Sequence, residues 1–551
     1  MNRRKDIIGF LLIFGAIIAI NVTLSRFVWR IDLTEDNRYS LSESTKEILD
    51  DLNDKVYVKV YLHGNVGAEY KQLEKAVKET LEEFQIYAFA DLQYDFIDPN
   101  QIEVDSLRMK KYAELTQRGL KTKVEREVIN GKKVEKIIFP GCVVSLGARS
   151  LPINFVKDDV NGRENFSRSI SELEYEFAST LKILSQERKK RIAFIDGHGE
   201  LKNKEIYDLM LHLSKFYDSG RLNLSTVDTI PDIEAIVIAQ PKTAFSEADK
   251  YKIDQFVMKG GRAIFAIDAI EIKTDTSGIV GLPYELNLRD LLFRYGVRMN
   301  DDMIQDLNAA QIPVRTGPNP NDIELKPWTF HPIINNYADH IITKNLDAVL
   351  MKNIGTLDST KTKGVTKTPL LFTSKYTRVK GQPVGYSPDE LRLNTDESYY
   401  PQQLLPVAYL LEGNFESLYK GRPTPKGTKR GHFTDHATDG KVVVISDADL
   451  LINEFDTRAN IPYPLGYSKF TGQQFSNKNF LANTFDYLLN DGNVVNIRAK
   501  ELSYRPLDLF KIDENKEKMY WQILNIAAPL ALLILFGVVQ FFIRKRKFEK
   551  F

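Results

Sequence analysis

The sequence predicts an α/β protein in which two transmembrane helices enclose a multidomain extracytoplasmic region built on a doubly wound sheet. Two observations carry that prediction. Apolar stretches free of charge run over residues 7–24 and 523–543, each long enough to cross a hydrocarbon core of ~30 Å. Between them, β-branched strand patterns alternate with helix-period segments across short links, the rhythm of a sheet carrying helices on its faces. Basic residues flank the outer ends of both stretches: Arg3, Arg4 and Lys5 before the first, Arg544, Lys545, Arg546 and Lys547 after the second. Positive charge stays preferentially in the cytoplasm, so both termini are expected inside and the bulk of the chain outside.

In chain order, 1–6 read as a cytoplasmic N-terminus and 7–25 as the first span. Phe27 and Trp29 after it, and Tyr520 and Trp521 before the second span, supply the amphipathic rings expected at the outer interface. The first stretch also fits a cleavable signal peptide, but no A-x-A site precedes Arg26 and no cysteine offers a lipid anchor. An uncleaved span is therefore expected. Residues 26–185 read as a first α/β domain. Ser44 and Glu47 have capping-box spacing ahead of a helix, and 56–62 alternates as a strand. Tyr70, Leu73, Val77, Leu81, Phe84 and Tyr87 mark an amphipathic helix. A strand over 92–97 follows, then a hairpin of 124–129 and 134–139 turning on Asn130-Gly131.

Residues 186–500 read as a second α/β domain with insertions. Strands are expected at 191–195, 235–239 and 263–267, with helices over 204–216 and, capped by Ser246, to 258. Gly260-Gly261 ends the latter. The pattern breaks over the Pro- and Asn-rich 308–332, resumes as strand-like runs at 348–350, 370–373 and 407–411, and opens into an exposed loop over 420–441. A central strand at 442–445 ends in Ser446-Asp447, and 479–489 is helical. A juxtamembrane segment (501–521), the second span (522–543) and a basic cytoplasmic tail (544–551) complete the chain. Pro529, one turn past Asn525, predicts a kink near the outer end of that span. Asn21, Asn525 and Gln540 are polar groups in or beside the spans, suited to hydrogen-bonding other helices.

Composition narrows the functional classes. At 551 residues the chain exceeds one ordinary core. A net charge of +1 gives no reason to expect nucleic acid as a partner. One cysteine, Cys142, cannot form an internal disulfide, which fits an envelope protein stabilised by its cores. No G-x-x-x-x-G-K-[ST] and no G-x-S-x-G occurs, so neither ATP hydrolysis nor a serine nucleophile is expected.

The sharpest chemical pattern is Asp196-Gly197-His198-Gly199-Glu200, where a strand runs into a Gly-flanked turn. Ligands of open α/β sheets bind beyond the carboxyl ends of strands, so a histidine, two carboxylates and two glycines there suit a small polar ligand. The alternative is a structural turn in which His198 and Glu200 bond neighbouring backbone. Asp268 and Asp447, each after a buried strand, carry the same two readings. His432 and His436 have metal-ligand spacing around Asp435 but lie in the expected loop, and His331 and His340 read as ordinary half-buried residues. No cofactor or metal centre is expected.

A set of motifs carries a family resemblance. It comprises Asp32-Leu33-Thr34 with Arg38-Tyr39-Ser40-Leu41-Ser42, Gly197-His198-Gly199-Glu200, Gly260-Gly261 before the strand ending at Asp268, and Trp328 with Pro332-Ile333-Ile334-Asn335-Asn336. Ile342-Thr343-Lys344-Asn345-Leu346-Asp347, Val444-Ile445-Ser446-Asp447 and Ile497-Arg498-Ala499-Lys500-Glu501 with Arg505-Pro506-Leu507-Asp508 complete it. In order and spacing the chain resembles the gliding-motility-associated ABC transporter auxiliary family, its substrate-binding-like G component. The resemblance implies a Bacteroidota inner-membrane protein, largely periplasmic, acting with a separate multi-span permease and a cytoplasmic ATPase in gliding motility, with a link to envelope protein secretion and periplasmic motility partners. It also implies a middle sheet like that of glutamine amidotransferases. The nucleophile-bearing region of those enzymes corresponds here to Ile236-Val237-Ile238-Ala239-Gln240-Pro241, which has no cysteine. A non-catalytic accessory subunit is therefore the leading expectation. The alternatives are a periplasmic receptor, or a degenerate amidotransferase-like hydrolase, using the 197–200 turn.

Overall fold

The computed structural model describes residues 14–15, 40–88, 92–129, 132–157, 164–186, 188–275, 278–319, 322–386, 397–428, 433–456, 460–489, 497 and 517–548. The expected first span (all but Phe14 and Gly15), the segment before residue 40, the Asn130-Gly131 turn, His432 and most of the juxtamembrane segment lie outside them. The chain is mixed α/β and divides into two compact units, Met1–Lys500 and Glu501–Phe551.

The larger unit contains two extended sheets, each with its own core. In the first, β1 (Val56–Val60) pairs in parallel with β2 (Leu92–Phe96). The hairpin strands β3 (Lys123–Ile129) and β4 (Lys132–Ile138) pair with Ile129 opposite Lys132, the register a two-residue turn imposes. β5 (Gly141–Leu146) and β6 (Arg149–Asn154) complete a four-stranded sheet in the order β2-β1-β5-β6. Val56, Val58 and Val60 alternate inward, while Leu73, Val77, Leu81 and Phe84 of the helix Ala68–Tyr87 meet them as one stripe. Leu41 and Ile497, 456 positions apart in the chain, lie in this same core.

The second sheet has eight strands. Its parallel part comprises β7 (Arg191–Asp196), β8 (Asp218–Asn223), β9 (Ala235–Ala239) and β10 (Arg262–Ala266), together with His436–Ile445. The order runs Asn336–Tyr337, Val365–Phe372, Pro406–Glu416, His436–Ile445, β10, β9, β7, β8, the first three joining antiparallel. All five residues of β9 are buried. Ile236 and Ile238 enter a core with Phe245, Ile253 and Val257. Ala235, Val237 and Ala239 enter another with Leu209, Leu213, Phe480 and Phe485. Helices thus cover both faces, as a continuous apolar strand requires. The helix Glu247–Met258 begins at Ser246, whose hydroxyl accepts the Asp249 N–H, and ends where Gly260 takes φ +90° and Gly261 N–H returns to the Phe256 carbonyl.

Among the segments that depart from the sequence reading, three show why. β8 was not anticipated, because Asp-Ser-Gly-Arg-Leu-Asn has no strand pattern; it is an edge strand and needs only one bonded side. Residues 308–332 do not break the fold: Ala309–Arg315 and Ile323–Ile334 form an antiparallel pair. Pro313 is tolerated there because its strand lies at a sheet edge. The expected loop ends at Asp435, since His436 already opens the strand His436–Ile445. Its first half alternates polar residues with Ala437, so it lacks an apolar run.

In the smaller unit, a helix over Glu517–Phe548 runs through Pro529. Its Met519–Arg546 portion is 28 residues long, contains an 18-residue window with a mean hydropathy of 2.5, and is long and apolar enough to cross a membrane.

Truncating Ile238, fully buried at the sheet centre, is expected to cost ~2–5 kcal/mol in urea unfolding. Truncating the half-exposed Tyr207 should stay within about 0.5 kcal/mol. Equal costs at both positions would contradict the two-faced core.

Candidate functional site

β7 delivers Asp196 to the carboxyl edge of the sheet, and the chain then turns on two left-handed glycines, Gly197 (φ +116°) and Gly199 (φ +84°). A Cβ on Gly199 would lie 3.1 Å from the Lys242 side chain, so the loop after β7 presses closely on the loop after β9. Main-chain bonds join those loops. Lys242 N–H and Thr243 N–H donate to the His198 carbonyl at 2.7 and 3.0 Å, and Leu201 N–H donates to the Ala239 carbonyl at 3.1 Å. The crevice that a ligand would use between these strands is filled by the protein's own backbone.

His198 and Glu200 are buried in this closure, whereas Asp196 is exposed and accepts the Gly197 N–H. Glu200 accepts the His198 N–H at 2.7 Å and lies 3.1 Å from its Nδ1. His198 Nε2 is 3.5 Å from Asp249 Oδ2, and the imidazole stacks on Phe245 at 3.7 Å. Both ring nitrogens therefore face carboxylates of the protein itself. Burial pushes the Glu200 carboxyl up, but bonds from the His198 side chain and from main-chain amides outweigh it and hold the group below its usual range.

Asp268 and Asp447, which the sequence singles out separately, come together at the ends of β10 and of His436–Ile445. Two residues that sequence reasoning missed join them: Asp449 and Gln240. Asp268 accepts the Ala448 N–H at 2.7 Å. Asp447 accepts the N–H groups of Asp449 and Lys352 at 2.7 and 2.9 Å. Gln240, itself at φ +53°, donates from one amide nitrogen to Asp268 at 2.9 Å and Asp449 at 3.3 Å. The only signal in the sequence is the i, i+2 repeat of aspartates after a buried strand. Burial, reinforced by the charge of Asp449, pushes Asp268 up to about 7. Burial also raises Asp447 well above the usual carboxylate range and raises Asp449. Among the described residues no group of three or more metal-ligating side chains is arranged to hold a metal ion. This cluster and the His198 turn are linked through the run from Gln240 to Lys242.

The comparisons with known proteins bear on this region directly. The family model described as "ABC-type uncharacterized transport system" matches residues 189–484, more than half of the chain and nearly all of the eight-stranded sheet region. The chain belongs to this ABC-type transport auxiliary family. A domain of unknown function, DUF7088, matches residues 35–145, covering β1 to most of β5. An uncharacterized protein of Borreliella burgdorferi is 23% identical over 569 residues, covering 99% of each chain. Among solved structures, the mmIFT52 N-terminal domain aligns with 54% of this chain and 97% of its own at 13% identity and a TM-score of 0.31, below the level of a shared fold.

The remaining singled-out residues lie apart from this edge arrangement or serve locally. Burial and the nearby Lys352 charge push His331 down to about 3. His340 caps a short helical turn through the Ile342 N–H. His436 is exposed beside Asp435. Cys142 is fully buried on β5, and burial raises its thiol well above its ordinary value, which keeps it unreactive.

Two outcomes follow from this geometry. Because Asp268 is raised, its contribution to stability is complete at about pH 4 and below, and is lost as pH rises through about 7. Asp268→Asn should flatten the fall in melting temperature between about pH 4 and about pH 7, read by scanning calorimetry; an unchanged slope would count against the assignment. His198→Ala removes the imidazole from Glu200 and Asp249 and its stacking on Phe245, and is expected to cost ~1–3 kcal/mol of stability, measured by urea unfolding.

Proposed function

We propose that the chain is a non-catalytic, membrane-anchored accessory subunit of an ABC transport complex, its large unit periplasmic and its terminal helices docked on a separate permease that works with a separate ATPase. The observation that carries this reading is the family match over 189–484. The apolar helix Met519–Arg546, which carries Tyr520 and Trp521 near its start and is followed by Lys547, supplies one anchor. Residues 7–25 supply the other, with both termini cytoplasmic. The presence of Leu41 and Ile497 in one core supports a tether at both ends. A division near residue 185, with a doubly wound, amidotransferase-like second domain, belongs to the same proposal. The attribution to gliding motility and envelope secretion rests on the motif resemblance. The self-satisfied His198 turn supports a structural role for Asp196 to Glu200 and a non-catalytic protein.

Affinity capture of the full chain from mild detergent, followed by mass spectrometry, should recover a multi-span permease and an ATPase. Recovery of the chain without either would sink the assignment. Replacing the polar residues Asn525 and Gln540 with leucine should weaken that recovery, whereas His198→Ala should lower stability and leave the surviving complex intact.

A further inference from the structure

At the opposite edge of the eight-stranded sheet, the amino ends of β9 and β10 border a groove of about 540 Å³, within the ~300–1,000 Å³ typical of small-molecule sites. It lies between the C-terminal ends of the helices Glu247–Met258 and Asn477–Leu489. Ile230, Ile233, Phe256, Leu488 and Leu489 give it an apolar wall. The Phe256 ring is held in place over Gly261, occupying the space a Cβ there would need.

The charged groups along the groove are mostly spent on one another. Asp232 lies 2.9 Å from Arg188 and 2.6 Å from Arg191, and Glu234 3.2 Å from Arg188. Lys252 pairs with Asp249 at 3.0 Å and Arg262 with Asp439 at 2.8 Å. Lys190 caps the Leu489 carbonyl. Gln255 is bonded to both main-chain groups of Thr434, and Asp228 is engaged within the protein. Lys259, at the helix C-cap on the groove's rim, is the lining cation for which the described residues offer no ion pair or side-chain hydrogen bond.

We propose that this groove binds a small carboxylate with an apolar body, its carboxylate on Lys259 and its body against Phe256, Ile230 and Ile233. A neutral ligand would leave Lys259 unused. A cationic one would meet an ammonium with no carboxylate among the described lining residues left uncommitted to offset it. The site stands apart from the carboxyl-edge clusters and does not depend on the transport reading.

The test uses the full chain in lipid nanodiscs and fluorine NMR of three isosteric probes: 4-(trifluoromethyl)benzoate, the corresponding benzamide and the corresponding benzylammonium. Saturable broadening by the benzoate, weakened at least about tenfold by Lys259→Glu, kept by Lys259→Arg and blocked by Ile233→Trp, is the expected result. Lys259 is exposed, so its substitution leaves the fold intact; unchanged circular dichroism verifies this. Absence of saturable benzoate binding, equal binding of the amide or ammonium probe, or indifference to Lys259→Glu would each overturn the proposal.

Discussion

Burial of the central parallel strands on both faces is the constraint from which the rest of this molecule follows. β9, β10 and the end of His436–Ile445 present apolar side chains to two cores at once, so neither face of these central strands is left to solvent. Burying each large side chain contributes about 1.5–3 kcal/mol. A strand buried in this way must end somewhere, and at its end the backbone and any polar side chain still need partners.

The carboxyl edge shows how those needs are met. The loops after β7 and β9 bond to one another through His198, Lys242 and Thr243, while aspartates after β10 and His436–Ile445 take up the neighbouring main-chain N–H groups. Three buried carboxylates close together carry an electrostatic cost, visible in the raised Asp268, Asp447 and Asp449. Their N–H bonds offset part of it. His198, Glu200, Asp268 and Asp447 are thus bonded into the closed edge. The amino edge differs: there the charges pair among themselves and leave an open groove.

Elements whose burial writes a period into the chain were legible. The helix stripe from Tyr70 to Phe84, the continuous β9 and the Ser246 cap all appear where the pattern places them. Elements held by partners rather than by their own pattern were not. β8 is a polar edge strand paired only to β7. Ile323–Ile334 contains two prolines and buries alternate residues along only part of its length. The start of His436–Ile445 is polar and is a strand because Pro406–Glu416 lies beside it. Asp268 and Asp447 were legible as residues at strand ends, but their company with Asp449 and Gln240 was not. Neighbours across a sheet depend on strand order, and here 180 positions of chain separate Asp268 from the Ala448 N–H it accepts.

What the sequence determined by itself is local. Apolar length marked the C-terminal helix as able to cross a membrane, and periodicity marked the helix stripe from Tyr70 to Phe84 and the buried strand β9. The tertiary structure alone decided which strand ends meet, that His198 spends both ring nitrogens on Glu200 and Asp249, and that Leu41 and Ile497 share one core. The physical reason is the range of each effect. Helix and strand periodicity act over a few residues, whereas pairing of buried polar groups acts through space and has no signature along the chain.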